Sequence, residues 1–443
     1  MQMRSVFTRI LESKYLIPTC LVGSTLLRLI WILIFDPVPK ADSYYFFSSA
    51  ASIADGNGYM MFGRQTAYWP VGYPAVLGLT FYLFGKSLFA AKILNIVLNI
   101  GILFASYRLA RLLFNSEQVA RLTLLILAFY PNHIPYAAVL LTEPLFTFLL
   151  LSAMIFIIND AEKWNILFGG LFFGLAVLVK PQVIFLPVFL FLMGLKGYLS
   201  RGILRKQLMR YALVYLVAFT TLMPWLIRNY NLFGAFPVLA NNGGVNLLIG
   251  NNPDTHGGFM DVRGAGYAEL EEFYGGTPRE EYEQDVANRK RAVNYMLENP
   301  GKTLLRMPIK FWKLYATGAE GAGTNLVGME EGETTKRTFL RAYQYFSQLL
   351  YMVLMVLFIV SAISYLRKIK AHDRIDFKQR VGFWIIIYFS VIALIFFAGS
   401  RFHFPVIPFI VMFASKYISD RFYMERSVSG GINPPSPLSR RGR

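Results

Sequence analysis

The chain has 443 residues, of which 55% are hydrophobic, 16% aromatic and only 16% charged, whereas an ordinary soluble domain is roughly a quarter charged. With its positive mean hydropathy, this composition excludes a soluble globular class. The formal charge of +18 would suggest nucleic acid in a soluble chain, but here Lys and Arg cluster between apolar runs, so no nucleic-acid partner is expected.

Arg4, Arg9 and Lys14 precede a first apolar run, from about Tyr15 to Phe35, which is long enough to cross a bilayer. It is read as an uncleaved anchor starting in the cytoplasm, because the acidic, proline-rich Phe35-Asp36-Pro37-Val38-Pro39 follows it with no small-residue cleavage site. Its single cysteine, Cys20, can form no intramolecular disulfide. An outer segment extends to about residue 87, and its run over 70–84 is too short for a full crossing and is read as interfacial or re-entrant. Further crossings are expected at 88–107, 119–135, 142–158, 164–179, 182–195, 211–229, 344–366, 381–398 and 402–418. Loop charge orients them: Lys196, Arg201, Arg205, Lys206 and Arg210 form an acid-free inside loop, whereas Asp160, Glu162 and Lys163 are nearly neutral where an inside loop is required.

The predicted fold class is therefore an all-α polytopic membrane protein with about ten transmembrane helices, eleven if residues 70–84 span. Its expected parts are an amino-terminal transmembrane module (1–229) with a first outer loop (36–87), an outer domain (230–343), carboxy-terminal transmembrane helices (344–426) and a disordered basic tail (427–443). Both termini are placed in the cytoplasm.

The outer domain carries two helical signals. Thr277-Pro-Arg-Glu280 has capping-box spacing, with Tyr282, Val286, Val293 and Leu297 then recurring on one face. After Asn299-Pro300, Leu304, Leu305, Ile309, Phe311 and Trp312 alternate with Arg306, Lys310 and Lys313, a basic amphipathic pattern expected to lie along the membrane surface. Between the last outward span and these helices, Asn241–Pro253 is rich in Gly and Asn. It reads either as a turn-rich connection or as a loop whose amides, Asn251 and Asn252 among them, close over a polar ligand.

Few residues offer chemistry. Asp42 lies just beyond the first span in an aromatic setting, Ser43-Tyr44-Tyr45-Phe46-Phe47, where partial desolvation strengthens any hydrogen bond it makes. Its competing reading is a cap on the helix starting at Ser43. Glu143, before Pro144 at the outer end of an apolar run, is the second candidate, and capping by Thr142 or Glu143 is again the plain alternative. Lys180, Arg228, Arg401 and His403 lie at outer span ends, and Arg28 and Lys92 within runs near them. Each could snorkel to headgroups, or together they could hold the phosphate of a lipid-linked donor. Lys92, Asn95 and Asn99 share a helix face that should point into the bundle. No phosphate-cradling glycine loop, Ser-His-Asp set or metal-ligand spacing of His and Cys is present, so a cofactor is not expected, apart from a divalent cation held by Asp42 and Glu143.

These residues resemble the GT-C membrane glycosyltransferases, in particular the bacterial relatives of dolichyl-phosphate-mannose protein mannosyltransferase and of the enzyme that moves aminoarabinose onto lipid A. The resemblance rests on Asp42-Ser-Tyr-Tyr45, Trp69-Pro-Val-Gly-Tyr-Pro74, Thr142-Glu-Pro144, Val179-Lys-Pro181, Pro224-Trp-Leu-Ile-Arg-Asn229, Gly243–Pro253 and Arg401-Phe-His-Phe-Pro-Val-Ile-Pro408, in order along nearly the whole chain. It implies inverting transfer of a sugar from a polyprenyl-phosphate donor to a glycan, lipid or protein acceptor, at the outer face of the cytoplasmic membrane in cell-envelope glycan biosynthesis. Carried over, Asp42 is the general base and Glu143 the second acidic position. Lys180, Arg228, Arg401, His403, Lys92, Tyr45, Trp69, Asn251 and Asn252 are expected on the donor's phosphate or sugar. Where the aminoarabinose enzyme has a Lys before the proline of the first-loop helix, this chain has Trp69. A transporter or flippase of a lipid-linked sugar is the rival reading, although no internal repeat of the kind such proteins use is visible. A non-catalytic assembly subunit is the third.

Overall fold

The computed structural model describes residues 9–159, 162, 164–236, 238–260, 277–370 and 377–429, with side chains of 368–370 and 423–429 left aside. Arg4, Asp160, Lys163, Asp373, Arg374, Asp376 and the tail beyond 429 lie outside the described residues. The protein is an all-helical polytopic membrane protein. Among the described residues, seven helices are long and apolar enough to cross a membrane: Leu16–Ile34, Leu88–Phe114, Pro181–Ser200, Leu204–Phe233, Thr334–Arg367, Phe377–Ile395 and Ser400–Phe422. Gly72–Phe84, Glu143–Ile158 and Trp164–Val179 are shorter apolar helices.

In chain order, α1 is Leu16–Ile34, α2 Asp42–Ala54, α3 Gly72–Phe84, α4 Leu88–Phe114 and α5 Glu117–Ala128. The crossing expected over 119–135 is thus only partly helical. α5 has 12 residues, and Pro131 and Pro135 turn the chain into two short 3₁₀ segments, Pro131–His133 and Pro135–Ala137, because a ring without an N–H cannot continue the ladder. Next come α6 (Glu143–Ile158), α7 (Trp164–Val179), α8 (Leu186–Ser200) and α9 (Leu204–Phe233). At 13 residues, α3 is about 20 Å long, short of the roughly 30 Å hydrocarbon core. Its distal Leu79, Tyr82, Leu83 and Phe84 are nonetheless exposed, as befits a helix dipping into lipid. α2 and α3 pack as a pair across a small hairpin in which Met60–Met61 and Arg64–Gln65 are antiparallel, and Phe62 and Gly63 both take positive φ, the backbone a two-residue hairpin turn requires.

The segment 230–343, expected to be an outer domain, contributes α10 (Gly243–Gly250), α11 (Pro278–Glu298), α12 (Pro300–Tyr315) and α13 (Glu320–Gly328), followed by α14 (Thr334–Lys370), α15 (Phe377–Ile395) and α16 (Ile407–Ser429). The expected capping box is formed: the Thr277 hydroxyl accepts from the Glu280 N–H while the Glu280 carboxylate accepts from the Thr277 N–H. The buried face of α11 differs from the expected one. Glu281, Asp285, Asn288 and Ala292 point inward, and Val286, Val293 and Leu297 are exposed. The polar face is buried because it has partners: Glu281 accepts from the Thr66 hydroxyl at 2.6 Å, the Ala67 N–H at 2.9 Å and Asn241 at 2.9 Å. Asp285 accepts from the Gly244 N–H, and a Cβ on Gly244 would lie 1.9 Å from the Asp285 carbonyl oxygen.

α12 is likewise inverted relative to a helix that offers cations to headgroups. Leu304, Leu305, Ile309, Phe311 and Trp312 are exposed, whereas Lys310 is buried. Its ammonium donates to Asn251 at 3.2 Å and to the Leu394 carbonyl at 3.0 Å, and Arg306 donates to the Asn252 and Pro253 carbonyls, both at 2.9 Å. Cations are favoured at these positions because helix C-termini, here those of α10 and α15, leave carbonyls without intrahelical partners. Burial, reinforced by the neighbouring Arg306, pushes Lys310 down from 10.5 to about 8. The unfolded chain therefore binds more protons between those values, and stability should rise with pH from 8 to 10, by up to about 3 kcal/mol. Thermal midpoints of wild type against Lys310→Met across that range check this, since the variant should lack the rise.

Core packing centres on α6 and on the start of α16, where Ile407 to Ala414 are all buried. Glu143 opens the first of these helices, and Arg401 lies in the 3₁₀ turn that leads into the second.

Candidate active site

Asp42 is the first residue of α2, and the capping position before it is Ala41, which has positive φ and makes no side-chain cap bond. The Asp42 carboxylate turns away from the helix terminus and meets Arg401, with Nη2 to Oδ2 2.7 Å. The helix is held against α3 by aromatic edges: Phe46 packs 5.8 Å from Trp69 and 5.4 Å from Tyr73. Glu143 likewise opens α6 with Pro144 in the first turn, where a proline's missing N–H costs no hydrogen bond, and Thr142 makes no cap bond. Its Oε1 accepts from Lys180 at 3.0 Å. Both acids thus stand in the first turn of a helix and each is also paired with a cationic side chain.

Lys180 is held in an extended conformation by Pro181 after α7. The end of α7 is approached closely by α3: a Cβ on Gly72 would lie 2.8 Å from the Leu178 carbonyl oxygen. Only glycine permits this contact, which brings α3 against the end of α7, next to Lys180. Lys180 also lies 5.6 Å from the Phe402 ring, over which Arg401 sits at 5.3 Å. Arg401 occupies a 3₁₀ turn, Ser400–Val406, whose following residues enter the buried start of α16. From there its Nε reaches Glu143 Oε1 at 3.9 Å.

The result is an alternating row, Asp42–Arg401–Glu143–Lys180, contributed by the ends of four helical segments. Its two halves differ in access. The Asp42 and Arg401 side chains are 21% and 35% exposed, whereas Glu143 is 1% exposed. Glu143 is buried, and Asp42 is partly open to solvent. The carboxylates offered by the sequence to a divalent cation are each engaged by a cationic side chain, and among the described residues no group of three or more His, Cys, Asp or Glu could hold a metal.

The other expected site residues are placed elsewhere. Lys92 is buried and paired with Asp36. Asn95, on the same face, donates to the Val139 carbonyl at 2.8 Å. Arg228 donates to the Thr66 carbonyl at 2.7 Å and the Tyr59 carbonyl at 3.2 Å and stacks 4.8 Å over Trp225, so it fastens the first-loop hairpin to α9. His403 is fully buried, with Nδ1 2.7 Å from the Leu314 carbonyl and its ring 5.3 Å from that of Tyr351. The Gly/Asn stretch is not a loop: it forms α10, and Asn251 and Asn252 spend their amides on the Leu247, Ile395 and Leu248 carbonyls. Tyr45 is half-buried, 5.7 Å from Phe62, and Trp69 packs on Phe46. Sequence reasoning did not single out Tyr136, which is buried within electrostatic reach of Glu143, Glu320 and Arg401, nor Glu320, which accepts from Ser400. Nothing in their local sequence sets them apart.

Comparisons with known proteins bear on the fold. Residues 69–227 match the model of the dolichyl-phosphate-mannose-protein mannosyltransferase family. No curated protein matches the chain. Among solved structures, the archaeal oligosaccharyltransferase AglB from Archaeoglobus fulgidus, in complex with an inhibitory peptide and a dolichol-phosphate, superposes with a TM-score of 0.50 at 12% identity, over 96% of this chain and 53% of that one. The same enzyme in complex with Zn and sulfate gives 0.53 at 12% identity, over 92% and 49%. ArnT from Cupriavidus metallidurans bound to undecaprenyl phosphate gives 0.45 at 14% identity, over 96% and 82%. The chain thus spans about half the length of the oligosaccharyltransferase chains it matches. With this topology and the matched segment over 69–227, the chain has the fold of the GT-C membrane glycosyltransferases and resembles, within it, the protein mannosyltransferase family.

Proposed function

We propose that the protein transfers a sugar from a polyprenyl-phosphate-linked donor to a hydroxyl of a glycan, lipid or protein acceptor, with inversion, at the outer face of the cytoplasmic membrane. The observation that carries this reading is the bridging of partly exposed Asp42 to buried Glu143 by Arg401. Asp42, held and oriented through one oxygen, accepts the acceptor hydroxyl's proton as that oxygen attacks the anomeric carbon. The bond from that carbon to the phosphate oxygen breaks, and the lipid phosphate leaves with its extra negative charge. Arg401 and Lys180 are the cations suited to that charge, since fixed donors in a poorly hydrated site need no reorganisation as it develops. Glu143 keeps both cations in place. The dolichol-phosphate in the AglB complex supports a lipid phosphate as the donor's carrier. The grouping of all four charges at helix ends also favours chemistry at one face over passage through the bilayer, which calls for ionisable groups near the midplane.

The test is mass spectrometry of envelope glycans and glycolipids from a strain lacking the protein. Loss of one sugar substituent, restored by the wild-type gene, is the expected result; an unchanged glycan and glycolipid profile with altered lipid-linked sugar transport would overturn the assignment.

A further inference from the structure

A short helix, α13, joins the two sides of the Asp42–Arg401 pair. At its start, Glu320 accepts a hydrogen bond from the hydroxyl of buried Ser400, the residue before Arg401. At its end, the Gly328 carbonyl accepts from the Val38 N–H at 2.9 Å, four residues before Asp42. The approach there is close enough that a Cβ on Gly328 would lie 2.8 Å from the Val38 carbonyl oxygen. Nine residues of helix, roughly 13 Å, thus connect the arginine turn to the segment leading into the aspartate.

The strut is itself fixed from the side. Asn132 accepts from the Gly321 N–H at 2.9 Å, Asn325 donates to the Pro135 carbonyl at 3.0 Å, and Trp31 of α1 donates to Asn325 at 3.1 Å. These contacts brace α13 from the side, and none of them touches the reacting row. Glu320 alone does so, and only through Ser400. An arginine side chain has many rotamers, and its place between two carboxylates depends on the turn that presents it.

We propose that Glu320 is a positioning residue for the transfer reaction: through Ser400 it sets the turn that aims Arg401 at Asp42 and at the lipid phosphate. This rests on the donor reading above for its ligand, though not for its geometry. The full chain in lipid nanodiscs is titrated with farnesyl phosphate as the probe. Glu320→Leu and Ser400→Ala should each weaken binding about tenfold, as loss of one hydrogen bond to a charged group predicts. Glu320→Gln and Ser400→Thr, which keep an acceptor and a donor, should bind as wild type does. Because the effect runs through Arg401, Glu320→Leu combined with Arg401→Gln should bind no more weakly than Arg401→Gln alone, whereas a merely structural loss would add to it. The same cycle is read a second time as thermal midpoints without ligand. Additive losses in the midpoints overturn the proposal, as do additive losses in binding. If wild type does not bind farnesyl phosphate but the midpoints are non-additive, the positioning role stands and the donor reading falls.

Discussion

Replacing Asp42 by Asn should lower sugar transfer by about 10²–10⁴-fold, the range a positioned general base supplies, and should leave the protein folded. The second half of that expectation follows from exposure. Asp42 and Arg401 are partly open to solvent at 21% and 35%, and the loss of such a pair costs only about 0.2–1 kcal/mol. Asparagine keeps the shape and an oxygen for Arg401 but cannot take a proton. The measurement is the rate of polyprenyl-phosphate release by purified wild type and variant, alongside their thermal midpoints. Near-normal transfer by the variant would remove Asp42 from the mechanism, and a collapsed midpoint would show that the residue is structural.

Lys180→Met should, unlike Asp42→Asn, destabilise the fold as well as slow transfer. Glu143 is 1% exposed and Lys180 12%, so removing the lysine leaves a buried carboxylate with only Arg401, at 3.9 Å, to offset it. Breaking a buried pair in this manner costs about 3–5 kcal/mol, because the remaining charge has lost water as well as its partner. Glu143→Leu with Lys180→Met should recover much of that loss, since neither charge is then left alone. Unfolding of the two variants in nanodiscs measures the difference. A single variant as stable as wild type would mean that the ion pair contributes nothing.

The membrane class, the helical content and most span positions were legible in apolar runs and loop charges, because the bilayer penalises backbone and charge in a way that any segment must satisfy locally. Two failures share one cause. The Asn241–Pro253 stretch has the composition of a loop yet forms α10, and α11 buries its acids in preference to its valines. In both, the deciding interactions come from residues far away in sequence: Asp285 on the Gly244 N–H, and Thr66 and Ala67 on Glu281. The 119–135 run failed for a local reason, its two prolines, Pro131 and Pro135, which end α5 and turn the chain into 3₁₀ segments.

By itself the sequence determined the kind of protein, the carboxylates at the ends of apolar runs and the family they resemble, because these rest on composition, on hydrophobic run length and on motifs that keep their order. It could not decide which charges meet. Lys92, Arg228, Lys180 and Arg401 were equivalent as cations near one face, and only the tertiary structure spends the first on Asp36 and the second on loop carbonyls while bringing the last two to Glu143 and Asp42. Partner choice among like groups depends on which helix ends converge, and packing of α3, α6, α7 and α16, across hundreds of residues, sets that convergence.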